Sequence, residues 1–517
     1  MGTKKTPSQT GITRRFFIGG MAGLAGAPAI ITGASGRTRI VDGIASGDIS
    51  SNSAVIWGRS NISAKMLVEW STTPKFDKAQ RVAGPMVTAR TGYTGQVTLN
   101  ELPSGQEIFY RVRFGDQAGN EARIGHLRTP GKNRDVSFVF GGDQCGAGWG
   151  INPEWGGLRL FETMRLTRPD FLIHLGDRIY ADRPIHERAS TPDGEVWKNI
   201  ITPAKSKVAE SVADYRGNYS YNFLDKHYRK FSEEVPALTT WDDHEVTNDW
   251  WPGRKLSRRI MFRKGYIQSN IDVLARYGRQ AFFEFTPVNR HATDPNRLYR
   301  QVSYGQNVDV FLLDSRSYRS RNNRNRQTKA GSNTALLGRG QIDWLKESLS
   351  KSKALWKLIS SPLPIAHERK RERPRYDKFA NSENGRPLGR EHEIAEILAH
   401  IKTHGVTNTV WLAADVHYSA AHHFQPDRAA FKEFDPFWEF ISGPFHTRPG
   451  RIKHLDTTFG PERFFRTPRA PKGNLPPSAG YIYFGHGHVD AKSGTLTISF
   501  RDVDGKILYE KTIIPKK

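Results

Sequence analysis

The sequence predicts an α/β protein in which a small β-sandwich precedes a larger, layered α/β domain. Three observations carry that reading. From about residue 40 to residue 129, short apolar runs alternate with Asn, Ser, Gly and Pro turns, and no segment has helical periodicity. From Val136 onward, continuous apolar runs of strand length alternate with amphipathic helical segments, the pattern of buried strands crossed by helices. Hydrophobic residues make up 37% of the 517 residues and glycines number 48, together roughly 46%, inside the ~45–50% of soluble globular chains. Global disorder and a membrane bundle are excluded.

In chain order, the first element is an address. Thr13-Arg14-Arg15-Phe16-Phe17-Ile18 leads into a weakly apolar, Gly/Ala-rich stretch over residues 19–31, too short for a permanent membrane span, with Lys4 and Lys5 ahead of it and no acid before Asp42. It reads as a twin-arginine (Tat) export signal over residues 1–36, with the Tat export machinery as partner and a periplasmic or secreted destination. Residues 37–130 are expected to form the sandwich, with strands at 53–57, 66–70, 95–99 and 109–114. Residues 131–517 are expected to form the second domain. Its buried strands fall at 136–140, 170–175, 237–241, 308–313, 355–360 and 409–413, with a helix around 158–164. Ile342, Leu345 and Leu349, and then Ile394, Ile397, Leu398 and Ile401, recur at helical spacing, with Gly405 as a stop. Residues 481–484, 495–500 and 507–514 return to β character.

Charge narrows the partners. Lys and Arg number 77 against 52 acids, and 73 bases still face 52 acids once residues 1–36 are removed. Such an excess favours phosphate esters, nucleic acid or an acidic surface. Basic residues cluster at 254–264 and 316–329, where they would form a positive rim. The single cysteine, Cys145, excludes an intrachain disulfide and a thiolate-only zinc site.

Four of the expected strands end in metal-ligand chemistry: Asp143-Gln144-Cys145, then Gly176-Asp177-Arg178-Ile179-Tyr180, then Asp242-Asp243-His244-Glu245-Val246-Thr247-Asn248, and finally Asp415-Val416-His417. Residues just past the carboxyl ends of strands in an α/β sheet converge on one crevice. One acid at a strand end is an ordinary helix cap. Four in succession, mixed with His, Tyr and Asn, need cations to gather at all. Asp177 is the natural bridging ligand, because one carboxylate between two cations holds them ~3.5–4 Å apart around a shared hydroxide.

Asp143, Gly176-Asp177-x-x-Tyr180, Trp241-Asp242-Asp243-His244-Glu245 and Asp415-x-His417 resemble the motif set of the calcineurin-like metallophosphoesterases, and among them the PhoD-type alkaline phosphatases. The resemblance runs over nearly the whole chain and includes the leader, the sandwich, Leu313-Asp314-x-Arg316 and Ile441-Ser442-Gly443-Pro444. It implies a four-layer α/β/β/α metallophosphatase domain behind a fibronectin III-like sandwich, holding Fe(III) and Ca(II) and hydrolysing phosphate monoesters outside the cytoplasm. By that resemblance Tyr180 binds the ferric ion as phenolate, Asp177 bridges to calcium and His417 completes the iron side. Asp243, Asn248 and Asp415 serve calcium or hold its waters, and His244 stands beside the phosphoryl group as charge stabiliser or proton donor. Arg178 and Arg316, nearest the motifs, are expected as phosphate clamps. The family pattern breaks at the first strand, where a cysteine ligand is replaced by Asp143 and Cys145 comes two residues later. Asp143 is expected to be the ligand, with Cys145 as a further candidate.

Two rival readings remain at this level. One is a phosphodiesterase acting on nucleic acid, a cell-wall polymer or phospholipid. The other is a non-catalytic exported protein that holds polyanions. Gly485-His486-Gly487-His488 imitates a metal motif but is expected to lie on one face of a strand. His174 is expected to be a hydrogen-bonded core histidine, and His367 stays open as a ligand.

Overall fold

The computed structural model describes residue 2 and residues 37–116, 120–368 and 376–516. The Tat motif therefore lies outside the described residues. Seven strands come first: β1 (Ile40–Gly47), β2 (Ala54–Ser60), β3 (Ala64–Ser71), β4 (Gln80–Val87), β5 (Thr94–Leu99), β6 (Glu107–Phe114) and β7 (Ala122–Arg128). There follow β8 (Val136–Gly141), α1 (Arg159–Leu166), β9 (Phe171–Leu175), a hairpin of β10 (Arg188–Ser190) and β11 (Val196–Lys198), α2 (Val212–Asn222), α3 (Lys226–Glu234), β12 (Ala237–Thr240), α4 (Arg258–Lys264) and α5 (Ile271–Phe285). The remainder is β13 (Arg300–Tyr304), β14 (Val308–Leu312), α6 (Arg339–Lys351), β15 (Trp356–Ser360), α7 (Glu391–Thr403), β16 (Thr409–Ala413), β17 (Ala420–Phe424), β18 (Phe437–Ile441), β19 (Pro461–Arg466), β20 (Tyr483–Val489), β21 (Leu496–Asp502) and β22 (Ile507–Ile513).

Two large sheets dominate. One has nine strands in the order β22-β21-β20-β8-β9-β12-β1-β2-β5, the other seven in the order β13-β14-β15-β16-β18-β17-β19. β8, β9 and β12 run parallel side by side in the first, and β14, β15, β16 and β18 in the second. Strand alternation sorts their side chains. Phe138 and Phe140 share one core with Val310, Leu312, Leu358 and Leu412, whereas Val139 and Leu172 pack among residues of α1 and α5. On the second sheet Phe311, Ile359 and Trp411 pack with Ile342 and Leu345 of α6 and Ile394 and Leu398 of α7. The result is helices, sheet, sheet, helices, which is why these strands read as unbroken apolar runs. Each buried Leu, Ile or Phe contributes about 1.5–3 kcal/mol relative to exposure.

The amino-terminal strands divide between sheets. β4, β3, β6 and β7 form a four-stranded sheet, while β1, β2 and β5 extend the nine-stranded one, β1 meeting β12 in parallel at Gly47 and Ala237. Ile56, Val97, Met66 and Val68 fill the space between. α7 ends at Thr403 and Gly405 follows at φ 60°, donating its N–H to the Lys402 carbonyl. The helices α2 to α5 have no counterpart in the sequence reading. In α2, buried Asp214, Asn218 and Asn222 break the apolar stripe that would announce it.

Candidate metal centre

β8, β9, β12 and β16 each place a carboxylate just past the carboxyl end. The turns there are left-handed at the candidate ligands themselves: φ is 69° at Asp143, 52° at Asp177, 67° at Asp415 and 58° at His417. A residue with a Cβ holds such backbone at a cost of about 1–2 kcal/mol, and it persists only where the surroundings impose it. A Cβ on Gly176 would fall 2.5 Å from the Cβ of Asp242, so only glycine lets the ends of β9 and β12 close on each other.

Two ligand groups result. Asp143, Asp177 and His417 bring ligand atoms within 4.8 Å of one another, and so do Asp177, Asp243 and His244. Asp177 belongs to both, the place of a bridging carboxylate. Tyr180 joins the first group, its O–H donating to Asp143 Oδ1 at 3.4 Å and its oxygen lying 3.1 Å from His417 Nε2. A third group, Asp243, Asp249 and Asp377, extends from the second.

The geometry fits cations. His417 Nδ1–H donates to the Arg448 carbonyl at 2.8 Å, which turns Nε2 toward Asp143 Oδ1, 3.2 Å away, the arrangement of an oriented metal-ligating histidine. Asp143 Oδ2 is buried and makes no hydrogen bond among the described residues. Burial, and then the carboxylates of Asp243, Asp242, Glu245 and Asp143, push the Asp177 carboxyl well above its ordinary pKa. Burial, reinforced by Asp177 and Asp143, does the same to the Tyr180 phenol. A cation among these atoms would offset the repulsion between the carboxylates and favour the charged forms against burial. The donor set of carboxylate, phenol and imidazole suits a hard ion.

His244 is held from three sides. Its N–H donates to Asp177 Oδ1 at 3.1 Å, its ring stacks on Tyr180 with centroids 4.2 Å apart, and Nδ1 donates to Asp182 Oδ1 at 2.5 Å. Nε2 is left 3.8 Å from Asp243 Oδ1. Burial alone would lower its pKa, but Asp182 and Asp243 outweigh burial and raise it above the ordinary value. Asp182 is fixed in turn by Lys264 Nζ at 2.5 Å and by the Asn248 N–H at 3.2 Å. Glu245 straps the loops together by accepting the N–H groups of Asp177, Arg178 and Asp242 at 3.0, 2.7 and 2.8 Å.

The structure thus brings together Asp143, Asp177, Tyr180, Asp243, His244 and His417. Asn248 stands one hydrogen bond away, its Oδ1 accepting from Arg183 at 3.2 Å. Asp415 forms an ion pair with Lys378 and is in none of the three ligand groups. Three expectations are corrected. The Arg178 guanidinium turns into the helical layer, donating to Tyr228 Oη at 2.9 Å and Thr286 Oγ1 at 3.0 Å. Arg316 is fully buried, with Nε on Asp242 Oδ1 at 2.5 Å and Nη2 3.7 Å from Asp243 Oδ2, so it braces two carboxylates from behind. Cys145 sits in the apolar core with Ile151 and Leu158, where burial pushes its thiol up to about 12, and it belongs to none of the ligand groups.

His174 is a core residue, yet neither ring nitrogen is hydrogen-bonded within the described residues. His367 is buried beside Tyr418, 3.5 Å from its hydroxyl, outside the ligand groups. His486 bonds Ser137 Oγ at 3.0 Å and His488 lies 3.4 Å from Asp135. The sequence reading missed Asp182, Asp249, Asp377 and Lys378. Asp182 and Asp249 directly follow recognised motifs, whereas Asp377-Lys378 carries no local signal.

The family model for PhoD-like phosphatase matches residues 138–500, and that for the PhoD-like phosphatase N-terminal domain matches residues 25–131. The chain belongs to the PhoD-like phosphatase family. A curated relative, alkaline phosphatase D of Bacillus subtilis (strain 168), is 26% identical over 407 residues, which is 74% of this chain but 65% of that relative's length. The solved structure of PhoD superposes with a TM-score of 0.67 at 20% identity, covering 92% of this chain and 88% of that one. Purple acid phosphatase PPD1 from yellow lupin (Lupinus luteus) seeds gives 0.61 at 14% identity, covering 92% and 74%. Both share the fold of this family member.

Proposed function

We propose that the protein is an exported, metal-dependent hydrolase of phosphate esters, acting as an alkaline phosphatase on monoesters and holding Fe(III) and Ca(II). The observation that carries the reading is Asp177, shared between two groups of buried ligands with His244 alongside. Asp143, Tyr180 and His417 would hold the ferric ion, Asp177 would lie between the ions, and Asp243 with Asn248 would serve calcium. Asp415, already paired with Lys378, would act through water. The bound ions would neutralise phosphoryl charge and make water nucleophilic near neutral pH.

The chain's own groups do the rest. Asp182 holds His244 through Nδ1, so that the imidazolium form would present its Nε2 proton on the Asp243 side, from which it would pass to the departing oxygen and leave the ring neutral. Arg316 and Glu245 keep the acidic loops from springing apart. Tyr180 covers one face of the His244 ring and limits its rotation.

The test is hydrolysis of p-nitrophenyl phosphate and bis(p-nitrophenyl) phosphate at alkaline pH, together with metal analysis of protein produced by its own host. Iron and calcium, a visible tyrosinate band and faster monoester turnover are expected. A colourless, iron-free protein sinks the ferric assignment, and diester rates far above monoester rates sink the substrate preference. Export is tested by replacing Arg14 and Arg15 with Lys, which is expected to retain the protein in the cytoplasm.

A further inference from the structure

A cleft of about 640 Å³ opens beside the candidate metal centre, within the ~300–1,000 Å³ typical of ligand sites. Its walls carry Arg183, Lys264, Arg448, Arg451, Arg469 and Lys472, against one carboxylate, Asp182. That carboxylate is already committed to His244 and Lys264. None of Arg448, Arg451, Arg469 and Lys472 forms an ion pair among the described residues. Like charges crowded around a concave space are an unfavourable arrangement that an anionic occupant would relieve.

The cleft is joined to the centre by single hydrogen bonds. Asp182 accepts from His244, Arg183 donates to Asn248, and the Arg448 carbonyl accepts from His417. The Gly450 N–H closes the same wall by donating to the His417 carbonyl at 2.8 Å. The opposite rim, residues 469–474, is tied across by Asn474 Nδ2 donating to the Ala147 carbonyl at 2.9 Å. His244 lies just behind that wall, its Nδ1 facing Asp182 and its Nε2 facing Asp243. The basic cleft is therefore one hydrogen bond from the proton donor, close enough for the remainder of a larger ester to reach it.

We propose that this cleft is a second anion subsite, selecting esters whose departing portion carries at least one further phosphate or carboxylate besides the phosphoryl group that is cleaved. Guanidinium groups match phosphate oxygens in pairs, and the outer residues Arg451, Arg469 and Lys472 are exposed, free to reach a second charge. Polyanionic diesters and bisphosphorylated small molecules share that chemistry. The inference rests on the phosphoesterase reading of the neighbouring centre.

The experiment uses the metal-loaded enzyme and matched substrates. Glucose 6-phosphate is set against glucose 1,6-bisphosphate, and thymidylyl-thymidine against the same dinucleotide with a 5′-phosphate. The second anion is expected to raise kcat/KM by about tenfold, the worth of one charge-assisted contact at about 1.4 kcal/mol. The advantage should lie in KM and shrink with added salt. In a triple variant, Arg451→Gln with Arg469→Gln and Lys472→Gln, the ratio between paired substrates should fall toward one; a far-ultraviolet spectrum and Tm matching the parent confirm that the variant is folded. A gain confined to the bisphosphate pair or to the dinucleotide pair identifies which source the subsite serves. Equal rates on paired substrates, or a ratio unchanged in the folded variant, overturn the subsite while leaving the hydrolase reading intact. Absence of hydrolysis of every ester overturns that reading instead.

Discussion

Two places in this chain look like metal sites, and only one is built as one. At Gly485-His486-Gly487-His488 the backbone is ordinary strand, His486 bonds Ser137, and His488 sits beside Asp135. The glycines are structural too: a Cβ at Gly485 or Gly487 would fall 2.2 or 2.1 Å from the rings of Phe140 and Phe138 on β8. At Asp143, Asp177 and His417 the backbone is left-handed, carboxylates crowd one another, and a buried oxygen has no hydrogen-bond partner among the described residues. A site reveals itself by what it leaves unsatisfied rather than by the letters of a motif.

The sharpest way to break that contrast is to mutate both places. Asp177→Asn is expected to cut kcat/KM by about 10³-fold or more, the scale of several kcal/mol of lost charge stabilisation. The pair His486→Gln and His488→Gln should leave it within about twofold, as surface and strand changes away from the chemistry do. A pair that abolishes activity would make the strand motif functional.

A smaller effect sharpens the role of Asp182. Asp182→Asn is expected to lower kcat about 10–100-fold, the usual cost of removing an orienting carboxylate. The sign of the pH change follows from its cause. Asp182 is one of the two carboxylates that raise the His244 pKa, so its loss lets the proton leave at lower pH. The alkaline limb of kcat should move toward acid; an unmoved limb would detach His244 from proton transfer.

Asp143→Gly probes the strain directly. With metals removed, the variant should be more stable than the parent by about 1–2 kcal/mol, since glycine tolerates φ near 69°. Chemical denaturation of both metal-free proteins measures it, and a destabilised variant would mean the backbone is not strained there.

The smallest effect belongs to the buried histidines outside the ligand groups. Burial pushes His174 and His486 down to about 3 and His446 to about 4. The unfolded chain takes up these protons below its own pKa of about 6.5, so stability is full above that pH and is lost as pH falls toward the folded values. Each histidine costs up to about 1.4 kcal/mol per pH unit in that window. His486→Gln should flatten the fall in Tm between pH 7 and 5, and an unchanged slope would show that the ring is not buried neutral.

Much of this was legible in advance. Period and run length gave the central strands and both helices of the second sheet, because those segments are buried on both faces and obey one pattern. The acids at strand ends were legible because parallel strands converge. Arg178, one residue past Asp177, and Cys145, two past Asp143, were misplaced for a single reason: the alternation that sorts a strand does not survive the left-handed turns that follow β9 and β8. Asp377 and Lys378 were illegible, since their nearness to Asp243 and Asp415 comes entirely from tertiary folding.

β8, which ends in Asp143, is flanked on one side by β9 and on the other by β20, paired from Gly485–Phe140 to Val489–Val136. In the order of synthesis those two neighbours emerge far apart in time. A nascent chain that has made β9 but not β20 exposes one hydrogen-bonding margin of the ligand-bearing strand, an invitation to mispair with other chains. That margin is covered only once β20 has been made, so a product stopped before residue 483 would keep it open to other chains.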